Sequence, residues 1–154
     1  MATNVNLLTG SLLTLFNNSS VISKPFSDYS GSLFFGPNQE LTLRNSSPIK
    51  GRIRPQPTFM ENKSFGTSFE YDKVYNIFVD FYTVRHVKDS TGLQDYELVN
   101  RYMQLIEDAV VTYPNNFGPV TIVEFGEEDA PSLPDDNSNN VIGATKLLVF
   151  RERR

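Results

Sequence analysis

The sequence predicts an α+β fold: a small, twisted, mostly antiparallel sheet packed by one long helix and a short N-terminal helix, with an extended arm. Three observations predict it. Residues 74–84 are rich in β-branched and aromatic side chains and contain neither Gly nor Pro. Their odd positions, Tyr75, Ile77, Val79, Phe81 and Thr83, form a nearly apolar row, while the even positions mix polar with apolar. That alternation marks a strand with one dry face and one partly covered face. A helical pattern follows over 95–113, and the remaining strands succeed one another with few helices between them, which favours antiparallel pairing.

The helix is delimited on both sides. Asp89-Ser-Thr-Gly92 is turn chemistry, Gln94 or Asp95 can start the helix, and Glu97 lies near its positive end. Leu98, Tyr102, Leu105, Ile106, Ala109 and Tyr113 fall on one stripe, and Pro114 stops the helix. It spans roughly 28 Å, against about 36 Å for the strand, so the two match as layers.

Earlier in the chain, residues 5–17 place Leu8, Leu12, Leu15 and Phe16 on one face of a short helix weakened by Gly10. Residues 18–48 have poor periodicity, with one or two short strands around Leu33-Phe34-Phe35 and Leu41-Thr-Leu43. A stretch this irregular is expected to be an arm lying on a neighbouring molecule, which would bury its Phe residues. Residues 49–60 fit an edge strand, because Pro55 and Pro57 share a parity and can turn their missing N–H groups away from a ladder. Residues 61–72, with Phe65 and Phe69, are expected to be a loop. Further strands are expected over 120–125 and 141–150, before a basic tail, Arg151–Arg154.

The chain has 154 residues, so one domain over 1–154 is expected. Its formal net charge of −4 disfavours nucleic-acid binding by bulk charge. With no Cys, disulfides, thiolate chemistry and Cys-based metal sites are excluded. Apolar runs such as Leu147–Phe150 are far too short to cross a membrane. Residues 1–17 carry no Lys or Arg before their leucines, so they do not resemble a secretory signal, and a cytoplasmic product is expected.

No catalytic constellation stands out. His86 is the only histidine, and the sequence nominates neither a nucleophile nor an orienting acid for it. The segment 124–140 carries Glu124, Glu127, Glu128, Asp129, Asp135 and Asp136, with no cation between the first and last of these. Pro131 and Pro134 break any calcium-loop register, which leaves a solvated loop facing water or a charged channel. Arg44, Arg52, Arg54, Arg151, Arg153 and Arg154 are expected to make surface and interface salt bridges, and Asp80 and Asn76 to be structural polar groups of the central strand. No catalytic residue, cofactor or metal is expected.

The helix at Leu7–Phe16, the run Tyr75-Asn-Ile-Phe-Val-Asp-Phe, the helix Leu98-Val-Asn-Arg-Tyr-Met-Gln-Leu-Ile and the closing Lys146-Leu-Leu-Val-Phe together resemble the tail terminator (tail completion, neck) proteins of long-tailed bacterial or archaeal viruses. The resemblance covers roughly residues 49–154 and the first helix. It implies a non-enzymatic virion protein assembled in the host cytoplasm. It implies a ring, commonly of six copies, that joins the tail tube protein to a head-side connector or head-closure protein and lets DNA pass without specific binding. On that reading Phe26, Leu33, Phe34, Phe35, Arg52, Arg54, Arg151 and Arg153 are interface candidates, and Glu127, Glu128 and Asp129 are lumen candidates. Another head–tail adaptor or minor tail protein is the nearest alternative, and a small non-viral ligand-binding or adaptor domain the next.

Overall fold

A computed structural model describes residues 4–39, 41–43, 47–62, 71–133 and 140–153. Two helices lie on one face of an open mixed sheet. The first, α1 (Val5–Phe16), starts where the Asn4 side chain accepts the Leu7 N–H at 2.9 Å, which satisfies one of the donors a helix start leaves free. It buries the expected stripe of Leu8, Leu12, Leu15 and Phe16. The second, α2 (Asp95–Thr112), lies along the middle of the sheet and is followed by a 3₁₀ turn at Pro114–Phe117.

The sheet is built on β4 (Tyr71–Val84). On one side β4 pairs antiparallel with β2 (Ile49–Pro55) and β3 (Phe59–Asn62), and on the other with β6 (Val141–Arg153). Beyond β6 lies β5 (Val120–Asp129), and beyond β2 lies the two-residue β1 (Phe34–Phe35). The order is thus β1-β2-β4-β6-β5, with β3 beside β4. Among the described residues only β1 and β2 run parallel. The expected edge strand 49–60 is split in two, and the break falls around Pro57. Gly51 donates outward to Leu33 O at 2.8 Å and Gln56 donates inward to Asn76 O at 2.9 Å. Pro55 shares the outward parity, so its missing N–H costs the β4 ladder nothing. Phe65 and Phe69 lie outside the described residues.

The odd row of β4 is buried from Tyr75 to Thr83, and the helices cover it. Phe81 stacks on Tyr102 of α2, with ring centroids 4.3 Å apart and planes 8° from parallel. The buried stripe of α2 differs from the expected one. It comprises Leu98, Val99, Tyr102, Met103, Ile106, Ala109 and Val110; Leu105 is only partly buried and Tyr113 is 41% exposed. A helix lying flat on a sheet buries a broad arc, and here the arc is centred away from Leu105.

The described residues of the 18–48 segment do not form a free arm. Ile22, Leu33, Phe34 and Leu41 are buried against the chain's own core. Phe34 sits between Phe16 and Phe81, at ring distances of 5.3 and 6.2 Å. The Asn17 side chain accepts the Leu33 and Phe34 N–H groups and donates to Phe34 O, while Tyr102 Oη donates to Ser23 O at 2.7 Å. The segment is therefore a strap across the molecule. Its apolar side chains find a core within reach, and side chains satisfy its irregular backbone. Gly51 is required beneath it, since a β-carbon there would run into the Phe34 ring. Residues 40 and 44–46, among them Arg44, lie outside the described residues.

The acidic segment is also corrected. Strand β5 runs on to Asp129, so Glu124, Glu127, Glu128 and Asp129 belong to a strand paired with β6 and not to a loop. Asp135 and Asp136 lie outside the described residues.

The turn into α2 is fastened by Asp89. Its Oδ1 accepts from Thr91 N (2.9 Å), Thr91 Oγ1 (2.6 Å) and Leu93 N (3.0 Å), and its Oδ2 from Arg101 Nη1 (2.6 Å). Burial acts to raise the Asp89 pKa, but the Thr91 and Leu93 hydrogen bonds and the Arg101 charge outweigh it and hold the carboxyl below its ordinary value. A depressed carboxylate contributes stability above its unfolded pKa and loses it as pH falls through the folded pKa. Asp89→Ala is accordingly expected to be less stable than the parent in urea unfolding at pH 7, with a smaller gap at pH 3. A gap independent of pH would show that the charge of Asp89 is not what holds the turn.

Candidate functional site: the charged face of the sheet

The face of the sheet turned away from the helices carries the even residues of β4. Register places Lys50, Arg52 and Arg54 of β2 beside them, then Thr145, Leu147 and Val149 of β6, then Glu124 and Glu128 of β5. One end of this face is closed by a small cluster in which Leu41, Tyr82 and Leu133 are buried and Phe35, Leu43, Ala130 and Val141 partly so. Tyr82 Oη donates to Pro131 O at 2.6 Å. Burial, then the Asp80 charge, pushes the Tyr82 pKa up to about 12, so the group stays a neutral donor at physiological pH.

Asp80 is the centre of the face. It is fully buried, and its carboxylate accepts from Arg52 Nη2 at 3.1 Å, from Arg54 Nη2 at 3.0 Å, from Arg54 Nε and from the Thr145 hydroxyl. The two guanidiniums are 17% and 25% exposed. One carboxylate between two guanidiniums leaves one positive charge uncompensated within the cluster. Arg54 also lies over the Phe78 ring at 5.0 Å, and Lys50 over the Phe35 ring at 5.4 Å. The β2 flank is therefore basic, and its arginines are held in place.

The opposite flank is acidic. Glu124, Glu127, Glu128 and Asp129 are all exposed on β5. Only one of them is tied inward: Glu127 accepts from Lys146 Nζ at 2.8 Å, and the same ammonium donates to Glu107 of α2 at 3.0 Å. The Lys146 side chain is 4% exposed. Burial would lower its pKa, but the hydrogen bonds it donates to Glu127 and Glu107 outweigh that and raise it, so the lysine stays charged beneath α2.

The structure sorts the sequence-derived candidates. Arg52 and Arg54 converge on Asp80. Leu33 and Phe34 are interior and offer no surface to another molecule; Phe26 and Phe35 keep part of theirs. Arg151 lies 3.5 Å from the buried Asp72. The Arg153 side chain lies outside the described residues. His86 follows the end of β4 in a left-handed turn, φ 66°; its backbone N–H donates to Asp95 at 2.8 Å, and its side chain is 81% exposed, 3.8 Å from the same carboxylate. Sequence reasoning missed the Asp80 and Lys146 clusters. A lysine in the apolar row Ile142, Ala144, Leu148 and Phe150 was a visible signal for the second.

Among the described residues, no three His, Asp or Glu side chains are grouped to hold a metal. A concavity of about 590 Å³ beside α1 is lined by Asn6, Leu7, Gly10, Ser11, Thr14 and Asn116 among others, with no acid or base in its wall. No helix among the described residues is long and apolar enough to cross a membrane. No protein-family model matches the chain, and no curated protein matches its sequence.

Proposed function

We propose that this chain is a virion structural protein: a tail terminator or neck subunit that forms a ring, of six copies, between the tail tube and the head-side connector. The order of elements carries the reading. This chain has a short N-terminal helix, a small sheet, a long helix after the central strand and a final strand, the features on which the resemblance to that family rests. The polar groups of the site support it further. Asp80, Arg52, Arg54 and Lys146 are held in ion pairs that join one element to another, as a structural subunit requires, and the reading is non-enzymatic. Partners are other copies of the chain, the tail tube protein and a head-closure or connector protein. DNA passes without specific binding, in keeping with the net charge of −4. In such a ring the acidic strand has two available stations, the lumen wall or the joint between subunits.

Light scattering coupled to size exclusion, followed by electron microscopy, tests the proposal. The expected result is a ring, or a tube that grows with concentration. A monomer at every concentration would remove it. A ring that does not bind the tail tube protein would favour another head–tail adaptor or a minor tail protein.

A further inference from the structure

We infer that the acidic edge of β5 docks on the basic flank of β2 in the next copy of this chain. The inference rests on the ring reading only in taking the partner to be a second copy. Among the described residues β5 ends the sheet: nine of its ten residues pair with β6, Val123 is left out at a bulge, and no other strand pairs with it. An exposed edge of that length is a docking template. At its bulge, between Ile122 and Glu124, Val123 is 47% exposed.

Charge decides what the edge accepts. Among the described residues, Glu124, Glu128 and Asp129 make no ion pair, and Glu128 reaches Arg54 of its own chain only through its field. Two β5 edges laid against each other would crowd like carboxylates, which disfavours symmetric pairing. The partner must be basic. The β2 flank supplies Lys50 and Arg54, with the surplus charge of the Asp80 cluster between them.

The spacing fits as well. Glu124 and Glu128 lie four residues apart on the same face of β5, with Gly126 between them. Lys50 and Arg54 lie four residues apart on the same face of β2. At about 3.3 Å per residue each pair spans roughly 13 Å. β1 occupies the outer side of β2 at Gly51 and Arg52, and Pro55 has no N–H, so the contact is made by side chains and not by a ladder. The two flanks are on opposite edges of one sheet. A contact between unlike surfaces runs head to tail, and it closes into a ring when the rotation allows. Glu128 and Asp129 then belong to the joint, and the lumen is lined by other residues.

The test reverses the charge of the edge in the full chain. Glu124→Lys/Glu128→Lys/Asp129→Lys is expected to keep the parent circular dichroism and to weaken assembly by about tenfold or more, since like charges then face each other. Adding Lys50→Glu to that variant is expected to recover part of the assembly. Parent assembly should weaken steeply with salt, because the Debye length falls from about 10 Å at 0.1 M to about 3 Å at 1 M. If the triple variant does not fold, Glu124→Gln/Glu128→Gln/Asp129→Asn carries the same test, with weaker assembly supporting the joint and parent-level assembly overturning it. A folded triple-lysine variant that assembles like the parent overturns the joint while leaving the ring reading intact; retention of DNA by particles built from it would place the strand at the lumen instead. A parent chain that never assembles overturns the ring reading itself, and the joint with it.

Discussion

Asp80→Ala is expected to cost about 3–5 kcal/mol of folding stability, because it removes the one carboxylate that two partly buried guanidiniums share. Arg52 and Arg54 retain 17% and 25% exposure, so they rehydrate in part and the loss falls toward the lower figure. Equilibrium urea unfolding at pH 7 reads it directly, as a midpoint lowered by about 1–3 M for a slope of about 1–3 kcal/mol per M. Asp80→Asn should lie between, since it still accepts from Thr145 but carries no charge. An informative companion replaces the whole cluster by Asp80→Leu, Arg52→Leu and Arg54→Met. Buried ion pairs exchanged for apolar packing are often nearly neutral, so this variant should recover most of the lost stability. Equal midpoints for Asp80→Ala and the parent would mean that the arginines find water without cost and that the cluster does not tie β2 to β4.

The strap over residues 18–48 is expected to be indispensable for folding. Phe34→Ala should lose about 3–5 kcal/mol, the range for deleting a buried aromatic side chain. The ring is 1% exposed and fills the space between Phe16, Phe81 and the bare backbone of Gly51. Deleting residues 25–46 removes Leu33, Phe34 and Leu41 together and takes β1 from the edge of β2. The expected product is an unfolded or insoluble chain, with neither a near-ultraviolet circular dichroism signal nor a cooperative melt. A folded, soluble deletion product would restore the segment to the status of an arm that packs on a neighbour.

Local patterns were legible in the sequence wherever one element settles its own geometry. The alternation in 74–84 identified the buried row of β4, and Asp89, Gly92 and Pro114 bracketed α2 to within a residue or two. The parity of Pro55 correctly set its missing N–H away from the β4 ladder. Leu8, Leu12, Leu15 and Phe16 identified the inner face of α1. Each of these follows from spacings of two, three or four residues. The candidate site was legible only as separate pieces: Asp80 as a polar residue on the mixed face, Arg52 and Arg54 as flanking cations, and a row of carboxylates after Thr121.

Which pieces meet was decided by tertiary structure. Asp80 receives arginines 28 and 26 positions earlier in the chain, and that choice depends on the β2–β4 register. Strand β5 runs on past Phe125 because β6 lies alongside it and Lys146 stands opposite Glu127, so carboxylates that suggest a loop are carried on a sheet edge. Phe34 is interior because α1, β2 and β4 meet around it, whereas its own neighbours, Ser32 and Gly36 among them, suggest only an irregular loop. Periodicity is a property of one element and fixes which side chains share a face. Pairing joins residues far apart in sequence, and it is chosen by the burial and charge satisfaction of the whole set, which no single stretch contains.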